Sequence, residues 1–255
     1  MKIRYEVHSS RYLQRQMEYK VYGYGGLVCI ALPPEGGRFY DCEERGLLAG
    51  ASRWLEDGHL TVFCPDSIDA ETFLASGSER PRIEQHERWI CYLLREFLPL
   101  AQEACPDTFP VPLLVGCGLG ASHALNLYLR HPEQFQGMIA LSGLYDISHF
   151  FADPTDDLVY RSSPLQMLSA LPQCSEKLRL YQKAAPLVLC CGKGPGQEQT
   201  ALQDTRALAD LLRKQQIPVW CDEWGEDVTH DWHWWSRQLD YFLEKAVFAA
   251  SSSTL

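Results

Sequence analysis

The 255-residue sequence has no apolar run long enough to cross a bilayer, which takes about twenty consecutive apolar residues. It has no surplus of positive charge: 23 Lys and Arg stand against 33 Asp and Glu, for a net charge of −10. Nucleic acid and anionic membranes both call for a basic surface, so neither is an expected partner. There is no internal repeat and no low-complexity linker. None of the ten cysteines forms a C-x-x-C pair. They fall mostly inside apolar runs, such as Cys29 in LVCIAL, Cys64 in LTVFC and Cys190–Cys191 in PLVLCC. They read as reduced, buried small hydrophobes. The opening MKIRYEVHSSRYLQRQMEYK lacks an apolar signal core, so the expected compartment is the cytoplasm.

What is present is alternation. Residues Met1–Ser9 and Gln16–Tyr22 alternate as an antiparallel hairpin would. Short apolar strands then alternate with helical patterns. The strands are GLVCIALPP, LTVFCPDS, VPLLVGC, GMIALSG, APLVLCC and PVWCDEWG. The helices are expected over Cys42–Glu56, Arg82–Glu103, Ala121–Arg130, Thr200–Gln215 and Trp234–Phe248. Continuous apolar strands separated by helices imply an α/β fold, a mostly parallel sheet covered on both faces. The 46% hydrophobic content suits one domain, assigned to residues 1–248 with a flexible tail at 249–255. Residues 144–183 show no clean strand–helix unit and read as a small lid or insertion. Ligands in such sheets bind beyond the carboxyl ends of the strands.

The most informative stretch is PVPLLVGCGLGASHALNLYLRHP, Pro110–Pro132. A strand, a glycine-rich turn and a helix are the local shape that presents a nucleophilic serine in G-x-S-x-G. Here the turn reads Gly116-Cys117-Gly118-Leu119-Gly120, with glycine at the serine position.

Together with PPEGGRFYDCEERGLL, FCPDSIDAETF and TRALADLLRKQQIPVWCDEWGEDVTHDWHWWSRQLDYFL, this stretch resembles the esterase D-like esterases of the α/β-hydrolase fold, a branch that includes the mycolyltransferases. The resemblance covers nearly the whole chain. It implies an eight-stranded, mostly parallel sheet with helices on both faces and no metal or organic cofactor. It also implies a Ser–acid–His triad acting on esters or thioesters. The carry-over is uneven. The nucleophile position is Gly118. The histidine of the H-D-W motif is His230. The acid falls in GKGPGQEQ near Gln197, which cannot serve, so neighbouring Glu198 is the candidate, with Asp227 as a second choice. The PPEGG turn implies oxyanion amides around Glu35 and Gly36, and Leu119 supplies the other donor.

Acyl transfer needs a nucleophile, a proton-moving histidine and an oxyanion site. Gly118 cannot supply the first. Losing a triad nucleophile costs on the order of 10⁶ in turnover. The elbow backbone is strained for a residue with a Cβ and free for glycine, so the swap favours the fold once catalysis is not required. Cys117 is one residue from the tip. Its side chain is expected to leave the strand into packing, with a thiolate nucleophile as the alternative. Ser122 and Ser142 read as structural, and His123 as a packing or helix-start residue. His230 and His233 share an i, i+3 spacing but lack a third ligand, so no metal is expected. Asp66 and Asp69 are expected to fix their loop through backbone hydrogen bonds, with ligand contact as the alternative. The cluster Trp220, Trp224, Trp232, Trp234 and Trp235 reads mainly as packing.

Three readings of function follow. One is a pseudo-esterase that binds a small ester-like ligand or a partner protein. Another is an ester hydrolase working through Cys117 or a His230-activated water. The third is a structural or oligomeric subunit with a closed cleft. Homo-oligomerisation is left open.

Overall fold

The computed structural model describes residues 1–105, 111–185 and 187–252. Its centre is an eight-stranded sheet in the order β1-β2-β4-β3-β5-β6-β7-β8. The strands are β1 (Ile3–Ser10), β2 (Arg15–Gly23), β3 (Leu27–Leu32), β4 (Leu60–Pro65), β5 (Leu113–Cys117), β6 (Gly137–Leu141), β7 (Leu187–Cys191) and β8 (Val219–Glu223). β1 pairs with β2, and β2 with β4, antiparallel; the other pairs are parallel. The central strands β3, β4, β5 and β6 are buried at every position. Burial on both faces is why their sequences are continuous apolar runs rather than alternating ones.

The helices are α1 (Asp41–Glu44), α2 (Ser52–Glu56), α3 (Glu79–Tyr92), α4 (Leu98–Ala104), α5 (Leu119–Arg130), α6 (Asp157–Arg161), α7 (Pro164–Ser169), α8 (Glu176–Lys183), α9 (Gln197–Lys214) and α10 (Trp232–Ser252). The helix expected over Cys42–Glu56 is broken. Gly46 takes φ 84°, and a 3₁₀ turn at Leu47–Ala51 separates α1 from α2. The helix expected over Arg82–Glu103 begins at Glu79 and passes through a π-turn at Leu93–Phe97. Residues 144–183 contain α6, α7 and α8. Of the segment expected as a tail, 249–252 continue α10 as backbone, and 253–255 lie outside the described residues. The first residue of the quoted stretch, at position 110, also lies outside them.

Two apolar layers cover the sheet. One gathers Val28, Ile30, Leu114, Leu125 and Tyr128 with α3 and α9; the other gathers Cys29, Val115, Leu141, Trp235 and Phe242 with α10. The strand order reverses between β3 and β5: β4 lies on the far side of β3, and β6 on the far side of β5. The loops leaving β3 and β5 therefore flank a switch-point crevice. They carry Glu35 and Gly118.

Candidate active site

Gly118 sits between β5 and α5 with φ 52° and ψ −126°, a conformation L side chains rarely adopt. Its N–H donates to the Leu141 carbonyl at 2.9 Å, which ties the tip to β6. The turn is held close by a second glycine. A Cβ on Gly120 would lie 2.3 Å from the Pro33 carbonyl oxygen, so only glycine lets α5 approach the end of β3 this closely. The elbow thus persists for packing reasons that do not involve the residue at its tip.

His230 lies just before α10. Asp231 fixes that turn: its Oδ1 accepts the backbone N–H groups of His233 at 2.9 Å and Trp234 at 3.1 Å, and its Oδ2 accepts the Thr229 hydroxyl. This is helix capping by a short acidic side chain. The His230 ring is held edge-on by Trp235, with centroids 4.9 Å apart. Its Nδ1 is 3.1 Å from Glu198 Oε2. Glu198 lies in the first turn of α9, where a negative charge is favoured, and it is fully buried. Its Oε1 accepts the Ser142 hydroxyl at 3.0 Å and the Gly192 N–H. Trp235 Nε1 donates to Ser142 Oγ at 3.1 Å, closing the network. Ser142 is thereby a support for the acid. Glu198, rather than Gln197 or the exposed Asp227, stands behind His230.

The space over Gly118 is filled by the side chain of Glu35. Glu35 was expected to offer a backbone amide. Its side-chain carboxylate lies over Gly118: a Cβ built there would be 2.5 Å from Oε2 and 2.9 Å from Oε1. Gln197 Nε2 donates to Glu35 Oε1 at 3.1 Å. Across the gap, His230 Nε2 is 3.9 Å from the same oxygen, too far for a hydrogen bond. Nε2 is buried and has no partner. A carboxylate only accepts, so Nδ1–H donates to Glu198, and an imidazole carrying that single proton presents Nε2 as an acceptor. Two acceptors face each other with no donor between them. In a serine triad the hydroxyl proton fills that gap.

The oxyanion expectation changes as well. The Gly36 N–H donates to Asp69 Oδ2 at 3.2 Å. Asp69 Oδ1 is 2.9 Å from His123 Nε2, and both side chains are buried. Asp66 accepts from Arg38 Nε at 2.7 Å and from the Phe39 N–H at 3.1 Å. Asp66 and Asp69 thus tie the loop after β3 to the segment after β4 through contacts distant in sequence rather than local ones, and Asp69 also reaches α5. Leu119 opens α5, where the first N–H groups lack intrahelical partners. Cys117 is fully buried, and burial pushes its thiol pKa well up. Ser122 donates to the Leu144 carbonyl, consistent with a structural part. Trp220, Trp224 and Trp232 pack against the core, as does buried Trp235. His233 is exposed, and among the described residues no three His, Cys, Asp or Glu side chains form a metal-holding group. No helix among them is long and apolar enough to cross a membrane.

A parallel sheet with an elbow after its fifth strand, an acid after its seventh and a histidine before its last helix defines the α/β-hydrolase architecture. A family model described as Putative esterase matches residues 68–245, and the chain belongs to that esterase family. Solved structures agree in fold. An S-formylglutathione hydrolase from Agrobacterium tumefaciens has a TM-score of 0.74 at 16% identity, with 96% of this chain and 94% of that chain covered. A ferulic acid esterase has a TM-score of 0.72 at 17% identity, with 94% and 95% covered. A CE1 ferulic acid esterase from Anaeromyces mucronatus has a TM-score of 0.67 at 13% identity, with 95% and 88% covered. No curated protein matches the sequence.

Proposed function

We propose that this chain is a pseudo-esterase: it keeps the esterase site but binds a small ligand there without serine-type acyl transfer. The carrying observation is the pair of changes at one point, glycine at the elbow tip and the Glu35 carboxylate lying over it. The preferred ligand is a small ester-like molecule bearing a hydroxyl or N–H. Such a donor would bridge the Glu35 carboxylate and His230 Nε2, which has no hydrogen-bond partner. Esters and thioesters remain the relevant chemical neighbourhood because the family is built around them.

The test is covalent labelling with a fluorophosphonate, which reports an activated serine. The natural chain is expected to take no label at the elbow. Stoichiometric labelling that disappears on His230→Ala would contradict the reading.

One observation favours a second reading. The buried, unpartnered Nε2 of His230, anchored through Nδ1, is arranged as a general base would be. A water bound to it and to Glu35 could attack a bound ester: His230 takes the water proton and returns it to the leaving alkoxide. Ester and water then become acid and alcohol. The Cys117 route has no comparable support, since its thiol is buried and its pKa raised.

A further inference from the structure

We propose that two copies of the chain pair through β1, in antiparallel register about Tyr5, to make one sheet continuous across both molecules. The inference is independent of the site's chemistry.

β1 is the outer strand of the sheet. The Lys2 carbonyl accepts the Gly23 N–H at 2.9 Å. In an antiparallel ladder the N–H and C=O of a residue point the same way, so even-numbered residues of β1 face β2. Ile3, Tyr5 and Val7 therefore present their backbone groups outward. Such an edge is a template for another strand unless it is short, bulged or blocked by charge. This one runs eight residues in unbroken register with β2, without proline. Its outward-facing residues are apolar and open: Ile3 is 46%, Tyr5 54% and Val7 48% exposed.

The occupant follows from the charges. Read about Tyr5, the strand Lys2-Ile3-Arg4-Tyr5-Glu6-Val7-His8 is self-complementary when reversed. With the two Tyr5 residues opposite each other, Ile3 of one copy meets Val7 of the other, and Arg4 meets Glu6 twice. Directly opposed side chains of unlike charge stabilise a ladder, and like charges destabilise it. Because only odd-numbered residues face outward, the register moves in steps of two. One step one way opposes Arg4 to Arg4, though it pairs Lys2 with Glu6, and one step the other way opposes Glu6 to Glu6. Only the register about Tyr5 matches both charges. The outermost pair is Lys2 with His8, whose Nε2 lies 3.9 Å from Glu96 Oε2.

The test is sedimentation equilibrium of the full chain and four variants. The natural chain is expected to be a dimer. Tyr5→Pro removes an outward N–H without touching the β1–β2 bonds, and should give monomer. Arg4→Glu and Glu6→Arg each oppose like charges, and each should weaken the dimer about tenfold. The double variant Arg4→Glu with Glu6→Arg restores opposite charges and should recover the natural affinity. Both positions are exposed, so unchanged circular dichroism will show that folding is intact. A natural chain that stays monomeric at its highest soluble concentration overturns the proposal. So does a Tyr5→Pro dimer of natural affinity, or a double variant no tighter than the two singles.

Discussion

Replacing Gly118 with serine asks two things of the structure at once. The new Cβ would stand 2.5 Å from Glu35 Oε2, so the carboxylate must swing out and give up its bond from Gln197. The backbone at φ 52°, ψ −126° must also be held with a side chain, at about 1–3 kcal/mol. Gly118→Ser should therefore lower stability by about that amount and leave the new side chain competing with Glu35 for the same space. Adding Glu35→Ala clears the space. A triad serine is worth on the order of 10⁶ in turnover, and an unoptimised site should recover at least about 10³ of it. The assay is steady-state hydrolysis of p-nitrophenyl acetate by the natural chain, Gly118→Ser, Glu35→Ala and the double variant, with urea unfolding alongside. The expected order is double variant well above Gly118→Ser, and Glu35→Ala near background. Equal turnover by Gly118→Ser with and without Glu35→Ala would refute the claim that Glu35 occupies the nucleophile's place.

Other outcomes follow from the same contacts. His86 is buried with both ring nitrogens unpartnered, and burial holds its pKa well below the usual 6.5. Below that pH the unfolded chain takes up a proton that the folded chain refuses. Stability should thus fall toward acid with a slope approaching ~1.4 kcal/mol per pH unit from this group. His86→Phe should flatten the drop in urea midpoint between about pH 7.5 and pH 5.5; an unchanged drop would contradict this. Glu198→Ala strips the acceptor from Ser142, Gly192 and His230 and should cost about 2–4 kcal/mol in urea unfolding, while a loss within 0.5 kcal/mol or so would argue against a buried, fully used carboxylate. Native protein treated with iodoacetamide should react at exposed Cys174 and spare Cys117 when the digest is read by mass spectrometry; early labelling of Cys117 would show that its thiol reaches solvent.

The fold was legible because its signals are local. Apolar runs such as LLVGC and GMIAL, alternating with helical patterns, read as strands buried on both faces, and G-C-G-L-G between a strand and a helix has the shape of an elbow. His230 was legible because the resemblance places the family's histidine in an H-D-W motif before the last helix. Glu198 was legible because the resemblance puts the acid in GKGPGQEQ near Gln197, and Glu198 is the neighbouring carboxylate. Glu35 was not. Sequence places it in the loop after β3, but whether its backbone or its side chain faces the crevice depends on loop geometry. That geometry is set by Asp69, which draws the Gly36 amide toward His123, and no spacing rule reports such a bond. The break at Gly46 was missed for a related reason. A helical pattern continues across it, and only the left-handed backbone shows the interruption.

The most direct test of the central claim is p-nitrophenyl acetate hydrolysis by the natural chain compared with its His230→Ala variant, under identical conditions. The pseudo-esterase account predicts that both proteins sit at the same background rate, because His230 has no nucleophile to activate. A natural chain that turns over well above His230→Ala would contradict it and establish His230 as the base of a working hydrolase.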